Sequence, residues 1–115
     1  MLMISEAARA ALEPLFEGRV EILPLSCDDG KFWIANVTNL VEGLDAKRSD
    51  ILRDDDSNEI LLVKRASLLH DRVESAVIFK LREDPRGLIY VTTDFVEAVR
   101  SSDLVGIGFE PVQSL

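Results

Sequence analysis

The chain contains one cysteine and one histidine among its 115 residues. Cys27 has no second cysteine to pair with, so a disulfide framework within the chain is excluded, which is typical of proteins in a reducing cytoplasm. One cysteine and one histidine also fall short of the four ligands that a closed zinc site needs. No apolar run approaches the roughly 20 residues that span a bilayer, and no signal-peptide pattern is evident at the N-terminus. We therefore expect a cytoplasmic protein without membrane contact.

Catalytic motifs are similarly scarce. Nucleophilic catalysis of the triad type needs a nucleophile, a base and an orienting group, and the only histidine is His70, next to Asp71. We interpret His70 as a structural or surface histidine rather than as a partner of Cys27. The pair Gly106 and Gly108 lies within a predicted strand and not before a helix, so it is no phosphate-binding loop. The sequence therefore predicts no enzyme and no cofactor.

One acidic segment has partial calcium-binding spacing. Asp54, Asp56 and Asn58 match the first, third and fifth positions of an EF-hand loop. The sixth position is Glu59 where glycine is needed, and the twelfth is Arg65 where glutamate is needed. The motif fails at both discriminating positions, so we expect a solvated acidic loop and no metal site.

Charge is unevenly distributed between the two signs. The chain has 21 acidic and 13 basic residues and a formal net charge of −8. Such a surface repels phosphate backbones, which argues against a nucleic-acid partner. It would attract a basic protein and accelerate the encounter with it. The alternative is that the charge serves solubility alone.

Apolar periodicity predicts one α+β domain over residues 1–115. The hydrophobic fraction of 47% is sufficient for a packed core. We expect a mostly antiparallel sheet built from two β-hairpins plus a final strand, with an N-terminal helix and a short helix near residues 93–101. The predicted elements are a helix over 5–16, a first hairpin over 19–37, a second hairpin over 76–92 and a final strand over 104–112.

Three segments carry more specific expectations. Pro14 lacks an N–H, so the first helix should kink there or stop near Leu12. Residues 45–58 form the most polar stretch, which predicts an exposed loop with one helical turn. Ile60 to Ala66 reads as a strand after that loop.

Trp33, the only tryptophan, lies in the second strand of the first hairpin. Alternation places Trp33 on one face of that strand with Ala35 and Val37, and both faces are largely apolar. We favour a core position, which is commoner for tryptophan. The alternative is a binding face, because tryptophan is enriched at interface hot spots.

Residues 32–49 carry a motif that goes beyond these patterns. They read FWIANVTNLVEGLDAKRS, an aromatic strand with an Asn-Val step that runs into a "valine, small, leucine, Asp, three more, Ser" segment. This order resembles the central signature of the Imm-eleven family of bacterial polymorphic-toxin immunity proteins, formerly a domain of unknown function.

The C-terminal half extends the resemblance. Residues 78–81, 90–98 and 104–112 look like the closing strand, Asp-Phe helix and "leucine-x-Gly-x-x-Phe" strand of that family, with Lys80 where arginine is usual. The similarity covers most of the chain. Typical members carry a further N-terminal segment, so it corresponds to their central and C-terminal part.

The resemblance implies a protein that binds and neutralises a cognate toxin, which the charge predicts to be basic. Acidic residues near two turns, together with Trp33, are the candidate contacts. They are Asp28, Asp29, Asp45, Asp50, Asp54, Asp55, Asp56 and Glu59. The alternative hypotheses are a structural module whose edge strands pair into a homodimer, and a small hydrolase.

Overall fold

A computed structural model of the chain describes residues 2–25, 31–102 and 113–114. Its elements are β1 (Leu2–Ser5), α1 (Glu6–Phe16), β2 (Val20–Leu25), β3 (Phe32–Val37), β4 (Leu40–Val41), β5 (Asp50–Arg53), β6 (Ile60–Arg65), β7 (Ser67–Leu68), α2 (His70–Val73), β8 (Ile78–Leu81), β9 (Tyr90–Val91), α3 (Thr93–Ser101) and β10 (Gln113–Ser114).

The strands within the described residues form four small sheets. One has the antiparallel order β1-β3-β2, and a second has the order β4-β8-β9, with β4 parallel to β8. Strands β5 and β6 form a separate antiparallel hairpin, and β7 pairs with β10 in parallel. The mixture of helices and mostly antiparallel pairs makes the fold α+β, as the sequence predicts.

The first core lies between helix α1 and the β1-β3-β2 sheet. Ser5 caps the helix, because its hydroxyl accepts a hydrogen bond from the Ala8 N–H at 3.2 Å. The helix then buries Leu12 and Phe16 against Ala35, which has no exposed surface. Helix α3 packs against α1 and adds to this core, and the ring centroid of its buried Phe95 lies 6.1 Å from that of Phe16. The centre of the inner face of the first hairpin is therefore buried, whereas Trp33 towards its edge is half-buried.

A second core forms around strand β8. Phe79 and Leu81 are each 1% exposed, and the Phe79 ring stacks on Tyr90 at a centroid distance of 5.6 Å. Gly43 lies under helix α2, where a Cβ atom would come 2.5 Å from the Val73 Cγ1 atom. Glycine at this position therefore allows the close approach of the chain to the helix.

Strand β8 joins the two cores, because Ile78 packs in the first and Phe79 in the second. A γ-turn centred on Val77 precedes β8. The φ angle of Val77 is 65°, and the Ile78 N–H donates a hydrogen bond to the Ala76 carbonyl at 2.8 Å. The Asn39 side-chain amide donates to the Ala76 and Ile78 carbonyls at 3.2 and 3.1 Å. Asn39 thus holds an unfavourable backbone conformation in place.

Several sequence predictions are confirmed. The first hairpin is β2–β3, the second is β8–β9, and the N-terminal helix and the helix near residues 93–101 are both present. Gly18, with φ of 75°, follows the first helix as expected. The predicted final strand over 104–112 lies outside the described residues.

Other predictions are wrong. Helix α1 runs through Pro14 to Phe16, so the alternative in which it stops near Leu12 is wrong, whereas a kink stays a prediction. Proline falls in the last turn, where one missing N–H costs a single helical hydrogen bond, and burial of Leu12 and Phe16 stabilises the turn.

The predicted polar loop over 45–58 also needs correction. It contains a turn, then strand β5, and only then a second turn that leads into β6. The strand escapes sequence reasoning because Ile51 and Leu52 are flanked on both sides by charged residues. Its pairing with the apolar β6 makes this segment a third hairpin.

Candidate functional site

The turn of the β5–β6 hairpin is closed by its own backbone and side chains. The Asp54 N–H donates to the Glu59 carbonyl at 2.8 Å, and the Asn58 N–H donates to the Asp54 carbonyl at 2.9 Å. Asn58 adopts φ of 60°, a left-handed conformation that asparagine tolerates well. The Arg53 guanidinium donates to the Asn58 carbonyl at 3.0 Å. We call residues 54–59 the acidic turn.

Asp54 has a structural role within the acidic turn. Its Oδ1 atom accepts hydrogen bonds from the Asp56 N–H at 2.8 Å and the Ser57 N–H at 3.1 Å. The Ser57 and Asp56 N–H groups stabilise the carboxylate and lower the pKa of Asp54 below its ordinary value. Among the four acidic side chains of the turn, Asp54 is therefore the one whose carboxylate stabilises the turn itself.

The other three carboxylates point to solvent. Asp55, Asp56 and Glu59 are exposed, and within the described part of the chain their side chains make no recorded hydrogen bond or ion pair. Asp50 is also exposed and lies opposite Arg65 in the hairpin register. The hairpin thus gathers five of the predicted site residues, and three of them carry uncompensated negative charge.

The two faces of this hairpin differ in their burial. Ile51 and Val63 are register partners that pack against the second core. Leu52 and Leu62 are partners on the opposite face, 45% and 50% exposed, and the neighbouring Leu61 is 59% exposed. We call these three leucines the leucine ridge. Exposed apolar patches beside polar residues are typical of interaction sites.

Asp45 lies apart from the hairpin and stabilises another turn. Its Oδ1 atom accepts a hydrogen bond from the Lys47 N–H at 3.1 Å, and its Oδ2 atom lies 3.9 Å from the Arg48 Nε atom. The Asp45 N–H donates to the Ser67 carbonyl at 2.8 Å. These contacts give Asp45 a role in local structure, whereas its place in a contact surface stays a prediction.

The position of Trp33 is intermediate between a core residue and an exposed residue of a binding face, the two alternatives that the sequence leaves open. It is half-buried and packs against the first core, on the same face of β3 as Ala35 and Val37. The Arg9 guanidinium lies 4.8 Å from the centroid of its ring, which is cation–π geometry. Trp33 is thus mainly a core residue whose outer edge is covered by a helix side chain.

Asp28 and Asp29, the remaining predicted contacts, lie outside the described residues, as does Cys27. His70 begins the short helix α2, and its Nε2 atom lies 3.1 Å from the Glu74 Oε2 atom. That pair is exposed, as expected for a surface histidine.

An open cleft of about 410 Å³ runs between the end of α1 and the start of β8. Two of its polar side chains already form hydrogen bonds within the protein. The Asn39 amide donates to two carbonyls, and the Arg19 Nη1 atom donates to the Leu15 carbonyl at 3.2 Å. Glu17 and Arg72 line it with opposite charges. The cleft therefore offers no clear set of groups for a small ligand.

In residues 2–25, 31–102 and 113–114, no group of three or more histidine, cysteine, aspartate or glutamate side chains is arranged to hold a metal ion. No helix there is long and apolar enough to cross a membrane.

Comparison with known proteins decides the family. The model of the immunity protein family Imm11 matches residues 20–114. The chain belongs to the Imm11 family. No curated protein and no solved structure matches it. Membership in Imm11 implies a role in immunity to a toxin.

The fold explains several residues of the segment that resembles the Imm11 signature. The Asn39 side chain stabilises the γ-turn before β8 by hydrogen bonds. Gly43 allows helix α2 to pack closely against the chain, and the Asp45 side chain stabilises the turn that begins at Asp45. Asn39 stabilises the junction between the two cores, and Gly43 and Asp45 stabilise the packing and the turn that follow it. These three residues of the signature segment therefore have structural roles in this Imm11 protein, and contact of Trp33 and Asp45 with a partner stays a prediction.

Sequence reasoning located the acidic turn but missed the leucine ridge. Residues 60–63 read as a continuous apolar run, and such a run does not reveal which side chains face a core. Which side chains are buried depends on which face of the hairpin packs against the second core. That packing joins segments that are distant in the sequence.

Proposed function

We propose that this Imm11 protein binds a cognate bacterial toxin domain and blocks it by surface contact, without chemistry of its own. Family membership over residues 20–114 is the observation that carries the proposal. The residues predicted to make the contact are acidic ones and Trp33. Four of the acidic residues lie together in the acidic turn, and Asp50 lies at the other end of the same hairpin.

The charge of the chain favours a basic toxin. A net charge of −8 attracts a positively charged protein at a distance, and the three uncompensated carboxylates of the acidic turn concentrate that attraction at one place. Toxins that act on nucleic acids are often basic, because they bind phosphates. The proposal therefore includes such a toxin as the preferred partner class.

Co-expression tests the proposal. The toxin domain encoded beside this gene is expressed in bacteria with and without the chain, and growth is measured. We expect the chain to restore growth, and the two proteins to elute as one complex in size-exclusion chromatography.

A failure to restore growth, together with separate elution of the two proteins, would contradict the proposal. If light scattering then shows a stable homodimer of the chain alone, the structural module becomes the better interpretation.

A further inference from the structure

We infer that the leucine ridge is the binding surface for the toxin, and that it receives an apolar patch rimmed by lysine and arginine side chains. This inference rests on the proposed function and specifies the surface and the partner chemistry. Its structural basis is the difference between the two faces of the β5–β6 hairpin.

The ridge is apolar surface that the described residues do not cover. Leu52 and Leu62 face each other across the hairpin, so their side chains lie side by side on the outer face. Both are about half exposed, whereas their neighbours Ile51 and Val63 pack inward. Leucines placed in this way stabilise the free protein little and are available to a partner.

Contact through the face is favoured over addition of a strand to the edge. The β5–β6 register shifts twice, and at these shifts Leu61 and Lys64 lack a partner on β5. Extra residues of this kind bend a strand and disturb the spacing of its free N–H and carbonyl groups, which protects an edge from pairing. Strand β6 is therefore a poor template for another strand.

The charges around the ridge select the partner. Asp55, Asp56 and Glu59 lie at one end of the hairpin, and among the described residues none of their side chains forms an ion pair. The Arg53 guanidinium in the same turn donates instead to the Asn58 carbonyl. A second copy of the chain would bring a like-charged turn and a further net charge of −8 to the contact. A surface with an apolar centre and a basic rim satisfies both the leucines and the carboxylates.

The two parts of the surface should affect binding differently. Burial of leucines at the centre of a contact slows dissociation, because water must return to the apolar surface when the complex separates. Exposed charges at the rim mainly accelerate association and make it sensitive to salt. The kinetics of suitable variants therefore distinguish the ridge from the acidic turn.

The experiment measures association and dissociation of the full chain and an inactivated form of the toxin domain encoded beside the gene. The ridge variant is Leu52→Ser with Leu62→Ser, and Leu61→Lys is a second ridge variant at a position without a strand partner. The matched control is Leu88→Ser, since Leu88 is 71% exposed and lies outside the hairpin. Circular dichroism verifies that each variant is folded.

We expect the ridge variants to dissociate about tenfold faster or more, with nearly unchanged association. Leu88→Ser should behave as the wild type. A charge variant, Asp55→Asn with Asp56→Asn and Glu59→Gln, should associate several-fold more slowly and lose most of its salt dependence. Asp54 is left intact, since it holds the turn.

Two outcomes overturn the inference while the proposed function stands. One is a ridge variant that dissociates at the wild-type rate. The other is a wild-type homodimer that the ridge substitutions convert to a monomer while toxin binding stays unchanged. If the wild-type chain neither binds the toxin nor restores growth, the proposed function fails as well.

Discussion

The hairpins β2–β3 and β5–β6 both carry apolar side chains on two faces, but their faces differ in burial. In the first, the inner face packs against helix α1 and the first core, and Ala35 and Val37 are at most 4% exposed. In the second, the inner face meets the second core and the outer face keeps Leu52 and Leu62 about half exposed. The inner face of the first hairpin therefore stabilises the first core, and the exposed leucines of the second form the surface that we infer to bind a partner.

The largest expected effect contrasts one leucine from each region. Leu12→Ala should lower the free energy of unfolding by about 2–5 kcal/mol, because a side chain that is 1% exposed leaves a cavity in the first core. Leu62→Ala should cost about 0.5 kcal/mol or less, since its side chain is half in water already. Urea denaturation of both variants measures the contrast. Equal losses would show that the ridge is as important to the free fold as the core.

The next effect concerns the junction of the two regions. Asn39→Ala should lower the free energy of unfolding by about 1–3 kcal/mol, because two carbonyls around Val77 lose their donor. Asn36→Ala is the matched control: Asn36 is half-buried on β3, and its side chain makes no recorded hydrogen bond within the described residues.

The same variant tests whether the chain is one domain. Trp33 fluorescence reports on the first region, and amide hydrogen exchange of residues 50–65 reports on the second. One cooperative unit predicts that both probes give the same midpoint in the wild type and in Asn39→Ala. Separate midpoints would mean that the hairpin unfolds independently of the first core.

The smallest effect separates the acidic residues by role. The folded-state pKa of Asp54 is lowered, so its contribution to stability is complete above the unfolded pKa and is lost as pH falls through the folded value, below about pH 4. Asp54→Ala should remove this acid sensitivity of the turn and increase its amide exchange at neutral pH. Asp55→Ala should leave both unchanged. The readout is amide exchange of residues 54–59 as a function of pH.

Much of the fold was predictable because its determinants are local. The two expected hairpins and the helix capped by Ser5 follow from alternation, turn residues and a helical apolar face. Strand β5 was not predictable in this way, because only two apolar residues mark it and its partner follows a six-residue turn. The γ-turn at Val77 is likewise held by Asn39, which lies 38 residues earlier in the chain.

The candidate site was only half predictable. Runs of aspartate identify an exposed acidic segment directly, but hydrogen bonding assigns Asp54 and Asp45 to local structure and leaves other carboxylates uncompensated. The leucine ridge depends on which face of the hairpin meets the second core. That is a property of tertiary packing, which no local pattern contains.

A second exposed apolar surface is the main alternative to the leucine ridge as the toxin-binding surface. On the outer face of the β1-β3-β2 sheet, Met3, Ile34 and Leu23 form one row across the strands, with Met3 67% and Leu23 45% exposed. This outer sheet face includes Ile34 of β3, the strand that also holds Trp33, although the Trp33 side chain lies on the inner face. It corresponds to the alternative in which contact with the toxin is made near the tryptophan.

Amide hydrogen exchange of the chain, free and bound to the inactivated toxin domain, decides between the two surfaces. Our account predicts that binding slows exchange in residues 50–65 and leaves residues 2–5 and 20–25 at their free rates. Slower exchange in residues 2–5 and 20–25, with the hairpin unchanged, would contradict it and place the toxin on the outer sheet face.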